Sequence, residues 1–153
     1  MQINLRLRLD EVAEATANEL RASARRQPSR KELCHLASRM YDSRRARDKM
    51  LDRKLFGEPA WDMLLGLYCL PARGIILTVS GLSYSADIAQ TTGLRWQKVL
   101  MEDGLIERGP DGYDQRKQMV RLTQQGRELM DRYLTHLFYC DTPVPEHPER
   151  AGG

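Results

Sequence analysis

The chain has no apolar run long enough to span a bilayer. Its first residues do not follow the basic-then-apolar order of a secretory leader, so a cytoplasmic location is expected. Cysteine is scarce. Cys34, Cys69 and Cys140 are odd in number and far apart, which fits neither a disulfide framework nor the paired spacing of a zinc site. Such usage suits a reducing compartment. An excess of charge of one sign is also lacking: the net charge is only +3. No glycine-rich phosphate loop occurs, no nucleophile stands beside a base, and the carboxylates are scattered. No enzymatic activity, catalytic residue, cofactor or metal is expected. No repeat of solenoid period is found.

The 153 residues are enough for one domain with extensions, and a chain of this length buries about 70% of its unfolded surface. Charge is unevenly spread. Residues 1–57 hold 14 Lys/Arg against 8 Asp/Glu, and residues 58–153 hold 10 against 13. The N-terminal third is the basic part.

Along the chain, Ile3, Leu5, Leu7 and Leu9 alternate with polar residues, as in a strand or the lead-in to a helix. A helix is expected from Asp10 to about Arg26, broken at Pro28. Ser29 and Glu32 form a capping box for a second helix reaching about Lys54, with Leu33, Leu36, Met40 and Met50 at roughly helical spacing. Arg39, Arg44, Arg45, Arg47 and Arg53 crowd this helix and read for the most part as a solvated face with Asp42, Asp48 and Asp52 as intrahelical partners, the alternative being a flank that touches phosphates or a dimer partner. Pro59 suits a first helical turn, and Trp61, Leu64, Leu65 and Tyr68 make one apolar face of the next helix. Ile75 to Leu77 is expected as a short strand.

The stretch from Thr78 to Thr123 carries the functional signal. Thr78 caps a short helix, weak in propensity because of its serines and Gly81, that depends on packing through Val79 and Leu82. Asp87 and Ile88 make a turn. A second helix runs from about residue 89 to 103. Gly93, Trp96 and Leu100 follow i, i+3, i+7 and share its inner face, so Gln90, Thr91, Leu94, Arg95 and Lys98 point largely outward. Gly104 stops the helix. Residues 105–108 and 118–122 read as strands joined by the turn residues Gly109 to Tyr113, with Asp114, Arg116 and Lys117 at the return. This is a helix-turn-helix followed by a hairpin wing. Arginine bonds guanine bidentately, glutamine bonds adenine, and a threonine methyl packs on thymine. A basic hairpin tip suits a narrow minor groove. Thr123 caps a last helix whose apolar side is Leu129, Met130, Tyr133, Leu134 and Leu137.

The spacing from Leu82 through Thr92 to Gly104-Leu105-Ile106-Glu107-Arg108, then Asp114-Gln115-Arg116, then Leu122-Thr123-Gln124-Gln125-Gly126, resembles the winged-helix domain of MarR-type transcriptional regulators. That family carries Gly-Leu-hydrophobic-x-Arg, then Asp-x-Arg, then Leu-Thr-x-x-Gly. Phe56 to Leu65 and Thr91 to Trp96 are similar to a MarR-like branch typical of alphaproteobacteria. The resemblance covers roughly Leu55 to Leu137. It implies a mainly α fold with a small β-wing and N- and C-terminal dimerisation helices. The implied division is 1–54 as N-terminal dimerisation region, 55–123 as winged helix-turn-helix and 124–139 as C-terminal dimerisation helix, while the three prolines and Gly-Gly end of 140–153 read as a disordered tail.

By the same resemblance the protein is a homodimeric, sequence-specific regulator on double-stranded DNA. Its recognition helix enters the major groove and its wing, about 109–117, the minor groove. The DNA-contacting set is Gln90, Thr91, Thr92, Leu94, Arg95, Lys98, Arg108, Arg116 and Lys117, with Asp114 supporting the wing. Relatives often bind small effectors between the dimer helices and the DNA-binding lobe, but no ligand is indicated here. The alternative is a winged helix that binds protein rather than DNA. Two departures stand out: a serine-rich first motif helix, and Gly93 where an aliphatic residue is usual. The expected reason for Gly93 is room for Trp96. Trp61 and Trp96 are expected in the core, or as an aromatic pair lining an effector cavity. Cys69 reads as a buried structural thiol. Cys34 and Cys140 offer a redox switch only if the terminal helices pack together. His136, Cys140 and His147 run into a proline-rich tail and do not read as metal ligands.

Overall fold

The computed structural model describes residues 14, 26–51 and 55–141. The alternating segment Ile3 to Leu9, nearly all of the helix expected up to Arg26, Asp52, Arg53 and the chain after Asp141 lie outside these residues. Among the described residues there are five α-helices, one 3-10 turn and a two-stranded antiparallel sheet. The helices are α1 (Arg30–Met50), α2 (Pro59–Cys69), α3 (Val79–Ser85), α4 (Gln90–Glu102) and α5 (Gln124–Asp141), and the strands are β1 (Ile106–Pro110) and β2 (Gln118–Leu122). No described helix is long and apolar enough to cross a membrane.

α1 starts at the predicted capping box. The Glu32 backbone N–H donates to Ser29 Oγ at 3.3 Å, and the Ser29 N–H donates to Glu32 Oε2 at 2.8 Å. Leu33, Leu36, Ala37 and Tyr41 form the buried stripe. Met50 does not join it and is 82% exposed. Ten residues beyond Met40, at 3.6 residues per turn, it is rotated off the buried face. The helix ends there rather than near Lys54. The expectation for its arginines holds in part: Arg39 is exposed, and Arg47 pairs with Asp48 at 3.2 Å within the helix. Arg45 does pair with Asp48 at 2.8 Å, but Arg44 and Arg45 both reach Asp62 in α2, Arg44 also takes Glu58 at 2.6 Å, and Asp42 is held by Arg73 at 2.7 Å. Asp62 is buried, so it needs those cations close by. The arginines fasten α1 to α2.

α2 is the centre of the molecule. Every residue from Asp62 to Cys69 is buried, not one face only, because α1, α3, α4, β2 and α5 all pack against it. Tyr68 donates its hydroxyl to Asp131 of α5, and burial pushes that hydroxyl's pKa up. Trp61 meets Tyr133 edge-on at 5.2 Å between ring centres. The expected strand at Ile75 to Leu77 is not formed. Only the Leu77 carbonyl, accepting from Val120 N–H at 2.9 Å, and one bridge between Thr78 and Met119 connect this segment to the sheet. The reason is local: Thr78 is already committed as the cap of α3, accepting from Gly81 N–H at 3.0 Å, so the extended run has no length left.

α3 is short and held by its surroundings. Leu82 and Ser83 are fully buried. Its last carbonyl, on Ser85, accepts from Tyr41 Oη at 2.7 Å and from Arg45 Nη1 at 3.0 Å. Two side chains of α1 therefore grip the end of the first motif helix. The turn that follows passes through Asp87 at φ 53°, a conformation aspartate tolerates better than most side chains.

Candidate nucleic-acid interface

α4 occupies the predicted range. Gly93, Gln97 and Leu100 are its buried residues and Trp96 is half-buried. Gln90, Thr91, Thr92, Leu94, Arg95 and Lys98 are all exposed. Among the described residues, the side chains of Thr91, Thr92 and Arg95 have no hydrogen-bond or ion-pair partner. Gln90 donates to the Ser80 carbonyl at 3.1 Å, and Lys98 lies 3.8 Å from Glu102. Leu94 is 44% exposed, an apolar residue among polar ones. The face therefore offers one free guanidinium, one ammonium, two hydroxyl groups with methyls and an apolar contact, all on rigid helix.

Gly93 is required by a close helix crossing, and the neighbour is not Trp96. A Cβ at Gly93 would fall 1.9 Å from Ser83 Oγ. α3 and α4 thus touch at Ser83 and Gly93, and the angle of the motif depends on both.

Gly104, at φ 71°, ends the helix. The following turn is clamped by the start of α5. Thr123 Oγ1 donates to the Gly104 carbonyl at 2.6 Å and accepts from Gly126 N–H at 3.0 Å, and Thr123 N–H donates to the Leu105 carbonyl at 3.0 Å. A Cβ on Gly126 would lie 2.0 Å from that carbonyl. The Leu-Thr-x-x-Gly signature is therefore the joint between the wing and α5.

The strands pair from Ile106 opposite Leu122 to Pro110 opposite Gln118. β1 includes Gly109 and Pro110, which the sequence reading placed in the turn. Glu107 and Arg121 pair across the strands at 2.6 Å. In the wing loop, Asp114 Oδ1 accepts from Arg116 N–H at 3.0 Å and the Asp114 carbonyl accepts from Lys117 N–H at 3.0 Å. Asp114 therefore organises backbone, while the Arg116 and Lys117 side chains are exposed. Tyr113, at the tip, is fully exposed. Arg108 is exposed as a residue but is not free: its Nη2 donates to Gln97 Oε1 at 3.0 Å. Sequence reasoning missed Gln97, although its place four residues after Gly93 and three before Leu100 puts it on the inner face.

A cavity of about 640 Å³ opens between α1 and α3, lined by Tyr41, Arg45, Arg73, Ile76, Tyr84 and others. Trp61 and Trp96 are not among its lining residues. Cys69 is buried, and burial raises its thiol pKa, as suits a structural thiol. Cys140 is exposed, with its sulfur 3.7 Å from His136 Nε2.

No protein-family model and no curated protein matches the chain. Among solved structures, a MarR family transcriptional regulator from Silicibacter pomeroyi DSS is 25% identical, with 74% of each chain covered and a TM-score of 0.46. A variant of S. aureus MepR bound to an oligodeoxyribonucleotide is 20% identical over 68% of this chain and 69% of that one, with a TM-score of 0.44. The transcriptional repressor CouR, bound to a 23-mer DNA duplex, is 20% identical over 52% of this chain and 55% of that one, with a TM-score of 0.41. The described chain is a winged helix-turn-helix protein, similar to these regulators.

Proposed function

We propose that the protein is a sequence-specific, DNA-binding transcriptional regulator of MarR type that acts as a homodimer. The observation that carries this reading is the solvent face of α4. It leaves Thr91, Thr92 and Arg95 without partners among the described residues, on a helix that abuts a wing with exposed Arg116 and Lys117. Unpaired side chains of those types on a rigid helix are what base edges in a major groove require. Arg116 and Lys117 are the wing's phosphate and minor-groove contacts, Asp114 holds the loop that carries them, and Arg108 contacts the backbone from the base of the wing.

Dimerisation through the terminal helices is supported by apolar surface left outside the core of α5, where Leu129, Tyr133 and Tyr139 are 39%, 45% and 37% exposed. The cavity between α1 and α3 combines Arg45, Lys49 and Arg73 with Ile75, Ile76 and Leu77. It has room for a small effector with an apolar body, and Arg45 and Arg73 are already paired with Asp48, Asp62 and Asp42.

The test is a binding titration of purified protein against duplex from its own promoter region and against random duplex, over a range of salt, with sedimentation to give the oligomeric state. The reading expects a dimer whose affinity for the specific duplex falls linearly on a log–log salt plot, as neutralised phosphates release counterions. Absence of any preference over random duplex at low salt overturns it.

A further inference from the structure

Gln97 is the one fully buried polar side chain on the recognition helix. Its Nε2 donates to the Val79 carbonyl at 2.8 Å and to Ser83 Oγ at 3.3 Å, both in α3. Its Oε1 accepts from Arg108 Nη2 at 3.0 Å, in β1. The orientation of the amide is not arbitrary. A backbone carbonyl only accepts and a guanidinium only donates, so the nitrogen must face α3 and the oxygen must face the wing. One side chain thus ties together the first motif helix, the recognition helix and the wing. Arg108 is held from the inner side of α4 while remaining at the surface.

We propose that Gln97 is a positioning residue for DNA recognition: it aims the Arg108 guanidinium and fixes the wing against the recognition helix, so that both meet the duplex in one register. This rests on the DNA-binding reading above. The physical argument is one of pre-organisation. A free arginine loses rotamer freedom when it contacts a phosphate, and Arg108 has already lost it to Gln97. The remaining donors of its guanidinium, which carries five in a planar fork, stay available for the duplex. Ser83 and Gly93 make the arrangement feasible, because the absent Cβ of Gly93 leaves the space into which the Ser83 hydroxyl reaches.

The experiment uses the full chain and a duplex enriched from a random-sequence library by the unaltered protein. Gln97→Met keeps length and volume but removes both ends of the bridge. Arg108→Ala removes the aimed group, Gln97→Met/Arg108→Ala removes both, and Ser83→Ala loosens only the α3 side. Thermal unfolding of each variant accompanies the binding measurements. The expected result is that Gln97→Met and Arg108→Ala each weaken specific binding by about tenfold. Each should lower the log–log salt slope by about 1, the change for one lost phosphate contact. The double variant should be no weaker than either single one, since residues acting as a unit are not additive. Ser83→Ala should lower thermal stability yet keep the slope.

The inference is overturned if the two single effects add in the double variant. It is equally overturned if Gln97→Met lowers stability like Ser83→Ala but leaves slope and preference unchanged, which is the behaviour of a merely structural amide. Failure of the unaltered protein to enrich any duplex overturns the DNA-binding reading, and the positioning role with it. The outcomes that overturn the positioning role alone all have the unaltered protein binding.

Discussion

Gly93 and Gly126 are positions where one methyl group has nowhere to go. The first faces a serine side chain at 1.9 Å and the second a backbone carbonyl at 2.0 Å. Overpacking of this kind typically costs about 1–3 kcal/mol. Gly93→Ala is expected to lower the unfolding free energy by that amount, and adding Ser83→Gly should recover part of it. Gly126→Ala has no comparable rescue, because a carbonyl cannot be trimmed. Chemical denaturation of the three variants checks this. The sequence marked Gly93 as unusual but assigned its space to Trp96, since a side chain's contact across a helix crossing cannot be read from spacing alone. Gln97 was missed for a related reason. Its polarity argued for solvent, while its spacing argued for the core, and only the partners at Val79, Ser83 and Arg108 reconcile the two. In the proposed complex, Arg95 and Arg116 make two different kinds of contact. Arg95→Ala should cost about 1–3 kcal/mol of discrimination at one base pair. Arg116→Ala should weaken all duplexes similarly and lower the salt slope by about 1. Binding to single-base operator variants tells them apart.

Among the elements, caps were legible and edges less so. Ser29, Thr78 and Thr123 each stand where a helix begins and each accepts the expected backbone bond, because a cap is a local contract between residues three apart. The strand expected at Ile75 to Leu77 shrank to one bridge, because its β-branched run collides with the Thr78 cap, a competition that propensity does not weigh. The start of α1 also carries a pH dependence. The guanidinium of Arg26, then the N–H and hydroxyl of Ser29, hold the Glu32 carboxyl at about 2, against an ordinary value of 4.5. A depressed carboxylate contributes stability that is fully present above its unfolded pKa and is lost as pH falls through the folded one. The contribution should therefore fade between pH 4.5 and about 2. Glu32→Gln should flatten thermal stability across that window and leave the profile above it unchanged in shape.

On the scale of the whole molecule, the arginine-rich helix proved most different from its sequence reading. Its charges looked like a solvated face, yet Arg44 and Arg45 converge on the buried Asp62 of the central helix. Intrahelical spacing suggests partners on the same helix, whereas a carboxylate drawn into the core by folding demands cations from wherever they stand. Arg45 goes further and, with Tyr41, grips the Ser85 carbonyl at the end of α3. In the proposed dimer this grip makes each half a caliper arm. α1 belongs to the joint between the arms, α3 and α4 to the jaw, and the hydrogen-bonded carbonyl leaves little play between them. A caliper measures one gap. Inserting about 5 base pairs, half of the roughly 10.5 base-pair helical turn, between the half-sites of a selected operator should abolish two-jawed binding rather than soften it. Phenylalanine at Tyr41 together with lysine at Arg45 (Y41F/R45K) should let the protein accept off-size gaps. Band-shift measurements on operators of graded spacing would read that play directly.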